Sequence, residues 1–224
     1  MESRLNARSE VLGAIRSALG VSQDGERIAA EYAALPRGYK REATLTREEM
    51  LQLFVHRLEE YGAGVSRIAS DGIRDEIAGR VEARGCGRLV IPYDLPTGWL
   101  PAGFDFVPYG GGGEASPMLS AAELDRMDGV LTGCTVAVAE TGSIVLQSGP
   151  WQGSRALTLV PDYHLCVVFA EQVVETVPES FARLEATQSL PTTFFSGPSA
   201  TADIEMTRIK GVHGPRFLDV LLVE

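Results

Sequence analysis

No apolar run in the chain reaches the roughly 18–20 residues that a membrane-spanning helix requires. The opening MESRLNARSE lacks the uninterrupted apolar stretch of a secretory leader, so the cytoplasm is the expected location. Cysteine is scarce. Cys86, Cys134 and Cys166 are odd in number, widely spaced and without a CxxC pair. That usage fits a reducing compartment and excludes the usual disulfide framework. It also argues against an iron–sulfur cluster held by this chain, since such clusters want about four thiolates, several of them close together. The 3 histidines and scattered carboxylates give no ligand spacing for a metal, so neither a metal nor a cofactor is expected. No GxGxxG leads from a predicted strand into a helix. The Gly110–Gly113 quartet has no following Gly-Lys-Ser/Thr and reads as a flexible loop, or as a mobile lid. Basic residues are also short, with 20 lysines and arginines against 30 acids and a formal net charge of -10. Nucleic acid and anionic membrane surfaces are therefore excluded as partners, because both need a clustered cationic face.

What is present suits a packed domain. Hydrophobic residues make up 45% of the 224, enough for a sizeable core. Leu5, Leu12, Ile15 and Leu19 share one face of a first helix that Gly20 stops. Residues 21–44 read as a polar arm in which Pro36 and Gly38 break regular structure, so residues 1–44 are expected as an N-terminal arm and 45–224 as the α/β domain. Thr46 and Glu49 form a capping box for a helix carrying Leu51, Phe54, Val55 and Leu58. A strand at Val65–Ala69, a helix with Ile73, Ile77 and Val81, and a strand at Arg88–Pro92 follow. This alternation is the mark of a parallel sheet covered by helices. A short strand is read at Phe104–Val107 and a second capping box at Ser120 and Glu123. Cys134–Ala139 and Ser143–Gln147 form a hairpin through Glu140-Thr141-Gly142. Leu165–Phe169, Thr192–Phe195 and Phe217–Val223 are further strands, and Thr176 with Pro178 opens a helix. The expectation is one mixed sheet flanked by helices, with a hairpin in its second half.

Polar residues and glycines repeatedly follow these strands, where loops of open α/β sheets gather around small ligands. Glu140 is either a solvated turn carboxylate or a general base, nucleophile or anchor facing a cleft. Arg155 is the only basic residue between Arg126 and Arg183. Its fork suits a carboxylate or phosphate, and equally a structural pairing with Glu140 or Asp162. His164 enters a buried strand and reads as structural or as a ligand contact. His213, within GVHGP, is the more suggestive acid–base candidate. Within SGPSATADIE, Ser196, Gly197, Ser199 and Thr201 are candidate ligand contacts, with Ser199 or Thr201 capping a helix that faces an anion. Lys210 reads as solvated, and Cys134 and Cys166 as core residues.

LTGCTVAVAETGSIVL, the Arg155 region, PDYHLCVVF, SGPSATADIE and GVHGP, in that order, resemble the lactate-utilisation (LUD) domain family, particularly its small stand-alone members. The resemblance implies a fold like that of the ribose-phosphate isomerase and CoA-transferase superfamily. It also implies a part in oxidising L-lactate to pyruvate alongside two iron–sulfur partner proteins. Cysteine-rich cluster motifs of a larger relative are absent here, which implies a non-redox accessory subunit with a small anion-binding cleft. Glu140-Thr141-Gly142 is similar to the nucleophile motif of CoA-transferases. The alternative is therefore an independent acyl- or carboxylate-processing enzyme with Glu140 as base or nucleophile, Thr141 and Gly142 lying beside it at the ligand.

Overall fold

The computed structural model describes residues 2–20, 25–111, 118–202, 208–211 and 213–224, without the side chains of 2–6, 200–202 and 208–210. It divides into two compact units, Met1–Tyr39 and Lys40–Glu224. In the first, helices α1 (Glu2–Leu19) and α2 (Gly25–Ala33) carry apolar side chains exposed at Val11, Ile15, Leu19, Ile28 and Tyr32. The second helix was not expected. Pro36 and Gly38 lie beyond its end at Ala33 and so do not break it.

The larger unit begins its regular structure with α3 (Arg47–Glu60), opened by the Thr46–Glu49 capping box. Then come β1 (Gly64–Ile68), α4 (Ile73–Ala83), β2 (Arg88–Pro92), β3 (Asp105–Tyr109), α5 (Ala121–Leu124) and β4 (Gly129–Thr132). The hairpin strands are β5 (Val136–Val138) and β6 (Ser143–Gln147). They are followed by α6 (Arg155–Leu159), β7 (Tyr163–Phe169), β8 (Val173–Val174), α7 (Val177–Leu184) and β9 (Thr192–Phe195). Strands β10 (Ala200–Ala202), β11 (Arg208–Lys210) and β12 (Phe217–Val223) complete the described elements.

The expected parallel core is present. Six strands in the order β1-β12-β7-β4-β2-β3 are joined by parallel pairings throughout. The hairpin, however, is not part of that sheet. It forms a second one, β8-β5-β6-β9, and β10 pairs with β11 in a third. The physical reason is burial on both faces. One side of β5 and β6 packs Ala137, Ile144 and Leu146 against Cys166, Val168 and Leu222 of the large sheet and Leu51, Phe54 and Leu58 of α3. The opposite side packs Val136, Val138 and Val145 with Leu184 of α7. The far face of the large sheet is covered by Ile73, Ile77 and Val81 of α4 and by Trp99. Among the described residues no helix is long and apolar enough to cross a membrane.

Two buried carboxylates brace this arrangement. Asp219 on β12, 1% exposed, accepts two hydrogen bonds from Arg84 and one from the Tyr163 hydroxyl. Glu175 accepts from the backbone N–H groups of Thr44 and Leu45 at 2.6 and 2.8 Å, and from Lys40 Nζ. Burial would raise the Glu175 pKa, but those donors outweigh it and hold the group at about 2. The folded value lies below the ordinary 4.5, so the stabilisation is complete above that pH and is lost as pH falls towards 2. Glu175→Ala should lower the urea-unfolding free energy by about 2–4 kcal/mol at neutral pH, leaving buried donors unpaired. The gap to wild type should narrow as both proteins are titrated below pH 4. An equal gap at every pH would refute the ionised latch.

Candidate functional site

A cleft of about 350 Å³ opens between the two sheets. Its walls are Thr193, Phe194 and Phe195 of β9, Leu146 of β6, Arg155, Thr158 and Leu159 of α6, and the 196–199 and 213–215 loops, with His164 and Leu218 also lining it. His164 and Leu218 lie at the amino ends of β7 and β12. The cleft thus differs in place from the expected crevice beyond the carboxyl ends of the strands. The second sheet covers the face of the first, and its edge strand β9 supplies a wall.

Each lining group is positioned by local chemistry. Arg155 opens α6 directly after a tightly anchored turn. Trp151, at φ 64°, donates its N–H to Asp94, accepts from Gly133 N and sets its ring against Trp99. Gln152 accepts from Thr135 Oγ1 and Gln147 N, both at 2.8 Å. Ser199 joins two loops: its N–H donates to Pro215 O at 2.8 Å, its carbonyl accepts from Gly211 N at 3.0 Å, and its Oγ accepts from His213 N at 3.2 Å. Ser196 Oγ lies 2.6 Å from Ser143 Oγ, which lies 2.7 Å from Thr141 Oγ1. His164 is buried, with Nε2 2.8 Å from Thr132 Oγ1 and its ring against Phe195.

Six of the sequence candidates therefore share one cleft: Arg155, His164, Ser196, Gly197, Ser199 and His213. Glu140, Thr141 and Gly142 do not line it. Glu140 instead faces Lys40 Nζ at 3.3 Å, and its own N–H donates to Glu175 O. Thr141 reaches the cleft only through the Ser143–Ser196 hydroxyl chain. Gly142 is required by packing: at φ +58° a Cβ there would stand 2.7 Å from Arg57 Cβ. Neither structural pairing considered for Arg155 exists, because Asp162 holds Arg216 and Glu140 holds Lys40. The helix cap expected at Ser199 or Thr201 is also corrected, since strand β10 follows Ser199 and Thr201 stands opposite Ile209. The Thr201 side chain, Asp203, Glu205, Val212 and the glycines at 112 and 113 lie outside the described residues.

Among the described lining residues there are one guanidinium, two imidazoles and no carboxylate. In a chain of net charge -10 that is a local reversal of sign. Such a cleft can hold a small anion. Sequence reasoning missed the walls from Phe194, Phe195, Thr158 and Leu159, because nothing in strand or helix periodicity says which loop it will face. Among the described residues no three His, Cys, Asp or Glu side chains gather as a metal site would.

Comparison with known proteins now bears on the chain. Lactate utilization protein C of Deinococcus radiodurans is 41% identical over 99% of this chain and 97% of its own length. The chain belongs to the LUD domain family. The LUD domain model matches residues 120–223. Lactate utilization protein C of Macrococcus caseolyticus is 25% identical, covering 80% of each chain. A crystal structure of a DUF162 family protein from Deinococcus radiodurans superposes with a TM-score of 0.67 at 36% identity, over 81% of this chain and all of that one. The matched LUD domain residues span the second sheet and every lining residue of the cleft.

Gly197 tests the geometry of the cleft rim. At φ +87° an added Cβ would lie 2.4 Å from Tyr61 Cβ. Gly197→Ala should displace the 196–199 segment and cost about 1–3 kcal/mol of stability, measured by urea unfolding. An unchanged unfolding midpoint would show that the rim adapts without strain.

Proposed function

We propose that this chain serves lactate utilisation as a non-redox accessory subunit whose cleft holds a small carboxylate. The carrying observation is Arg155: among the described residues the cleft it lines has no carboxylate, and no acidic side chain pairs with it. A planar guanidinium is matched to a carboxylate in two parallel hydrogen bonds. The relatives named Lactate utilization protein C supply the metabolic setting. Oxidising lactate removes two electrons, which need an acceptor beside the substrate. Cys134 and Cys166 are buried and Cys86 lies apart in the connection between α4 and β2, so the reading assigns the electrons to iron–sulfur partner proteins in the cytoplasm. The alternating parallel sheet supports kinship with the ribose-phosphate isomerase and CoA-transferase superfamily. The transferase-like chemistry gains no support, since Glu140 is engaged by Lys40 and lies off the cleft.

The test is an anaerobic lactate-to-pyruvate assay with a dye acceptor, run on the chain alone and then with cluster-bearing partners. No turnover is expected from the chain alone, and turnover dependent on its presence is expected in the mixture. Arg155→Ala should weaken lactate or pyruvate binding at least about tenfold in calorimetry, the scale of a charged hydrogen bond. Turnover by the isolated chain, or unaltered binding by the variant, would overturn the reading.

A further inference from the structure

The floor of the cleft holds a ring whose proton is placed by what lies behind it. His164 is 3% exposed, yet it lines the cleft. Its Nε2 contacts Thr132 Oγ1 at 2.8 Å, and that fully buried hydroxyl in turn donates towards Cys166 Sγ at 3.8 Å. The Cys166 thiol has a carbonyl acceptor of its own, Gly133 O at 3.7 Å. A hydroxyl has one hydrogen to give. With it directed at sulfur, the short contact to His164 is made by an imidazole N–H donating to the threonine oxygen. Nδ1 is then a lone pair. Among the described residues no hydrogen bond reaches Nδ1, and the ring lines the cleft with the Cys166 thiol also beside it.

We propose that the Cys166–Thr132–His164 chain fixes the Nε2–H form of His164, so that the cleft presents an acceptor at Nδ1 together with the Arg155 guanidinium and selects a 2-hydroxy acid over the matching 2-oxo acid. This rests on the carboxylate reading above and adds the second group of the ligand. A hydroxyl beside the carboxylate can donate to Nδ1. A keto oxygen would set lone pair against lone pair, and a methylene would leave Nδ1 without a donor. Sites built around one hydroxyl discriminate strongly against analogues that lack it. Thr132 and Cys166 touch no ligand in this scheme and are positioning residues.

The experiment uses the full chain with ¹⁵N-labelled histidine. Long-range ¹H–¹⁵N spectra should show His164 protonated on Nε2 alone. Titrations with L-lactate, pyruvate and propionate should give lactate about tenfold or more the tighter affinity over both others. Thr132→Val should reduce that preference to about twofold or less while leaving propionate binding unchanged. Cys166→Ala, which frees the threonine hydrogen to turn towards His164, should do the same and shift the ring to its Nδ1–H form. Should either variant fail to fold, the wild-type spectrum and affinity ratios decide. A wild-type ring protonated on Nδ1 overturns the proposal whatever binds. Equal affinity for the three acids overturns it and leaves the carboxylate reading standing. No binding of any of them removes both.

Discussion

Strand β7 is hydrogen-bonded along both edges, to β12 and to β4, and is buried almost throughout. Its side chains alternate between two apolar layers. Tyr163, Leu165 and Val167 enter the α4 layer, and Cys166 and Val168 enter the layer shared with the second sheet. A strand held this way has no freedom of register, since a slip of one residue would exchange its layers. The cleft inherits that rigidity. His164 is fixed by the same pairing, opposite Val130 on one side and Leu218 on the other, and its hydrogen-bond partner Thr132 lies two residues along β4. Arg155 and His213, in contrast, stand exposed on a short helix and a loop. The site thus joins an immobile floor to adjustable walls.

Much of this was legible in the sequence because local signals and burial agree. The capping boxes at Thr46, Ser120 and Thr176 each open a helix where the pattern places one. The strands around β2, β7 and β12 are largely apolar runs, interrupted by His164 and Asp219, as strands buried on both faces tend to be. The hairpin strands are equally apolar, and that is why their sheet could not be assigned: two-sided burial looks the same in either sheet. Short elements escaped for the opposite reason. Arg155–Leu159 spans only five residues and carries too little periodicity to announce a helix.

The candidate site divides along a similar line. Residues whose motifs break regular structure, in the 196–199 and 213–215 segments, were identifiable because glycine, proline and serine there have few other purposes. Glu140 shows the limit of such reasoning. Its position at a strand end before a small residue and a glycine is unusual, but its environment comes from Lys40, a hundred residues earlier. A charge partner so distant in sequence leaves no local trace. The overall acidity of the chain was equally silent about a cleft whose described lining carries a guanidinium and no carboxylate.

The order of strands in the large sheet also has a temporal meaning. Strand β12 lies between β1 and β7, so Gly64 finds its partner only at Asp219 and Ile68 only at Val223. During synthesis β1 emerges between α3 and α4 with no strand to pair with, and it waits until nearly all the intervening chain has emerged. Pairings of such separation in sequence form slowly, and the unpaired strand is exposed to other chains meanwhile. The apolar floor under the cleft is therefore sealed late, by the arrival of one seven-residue strand.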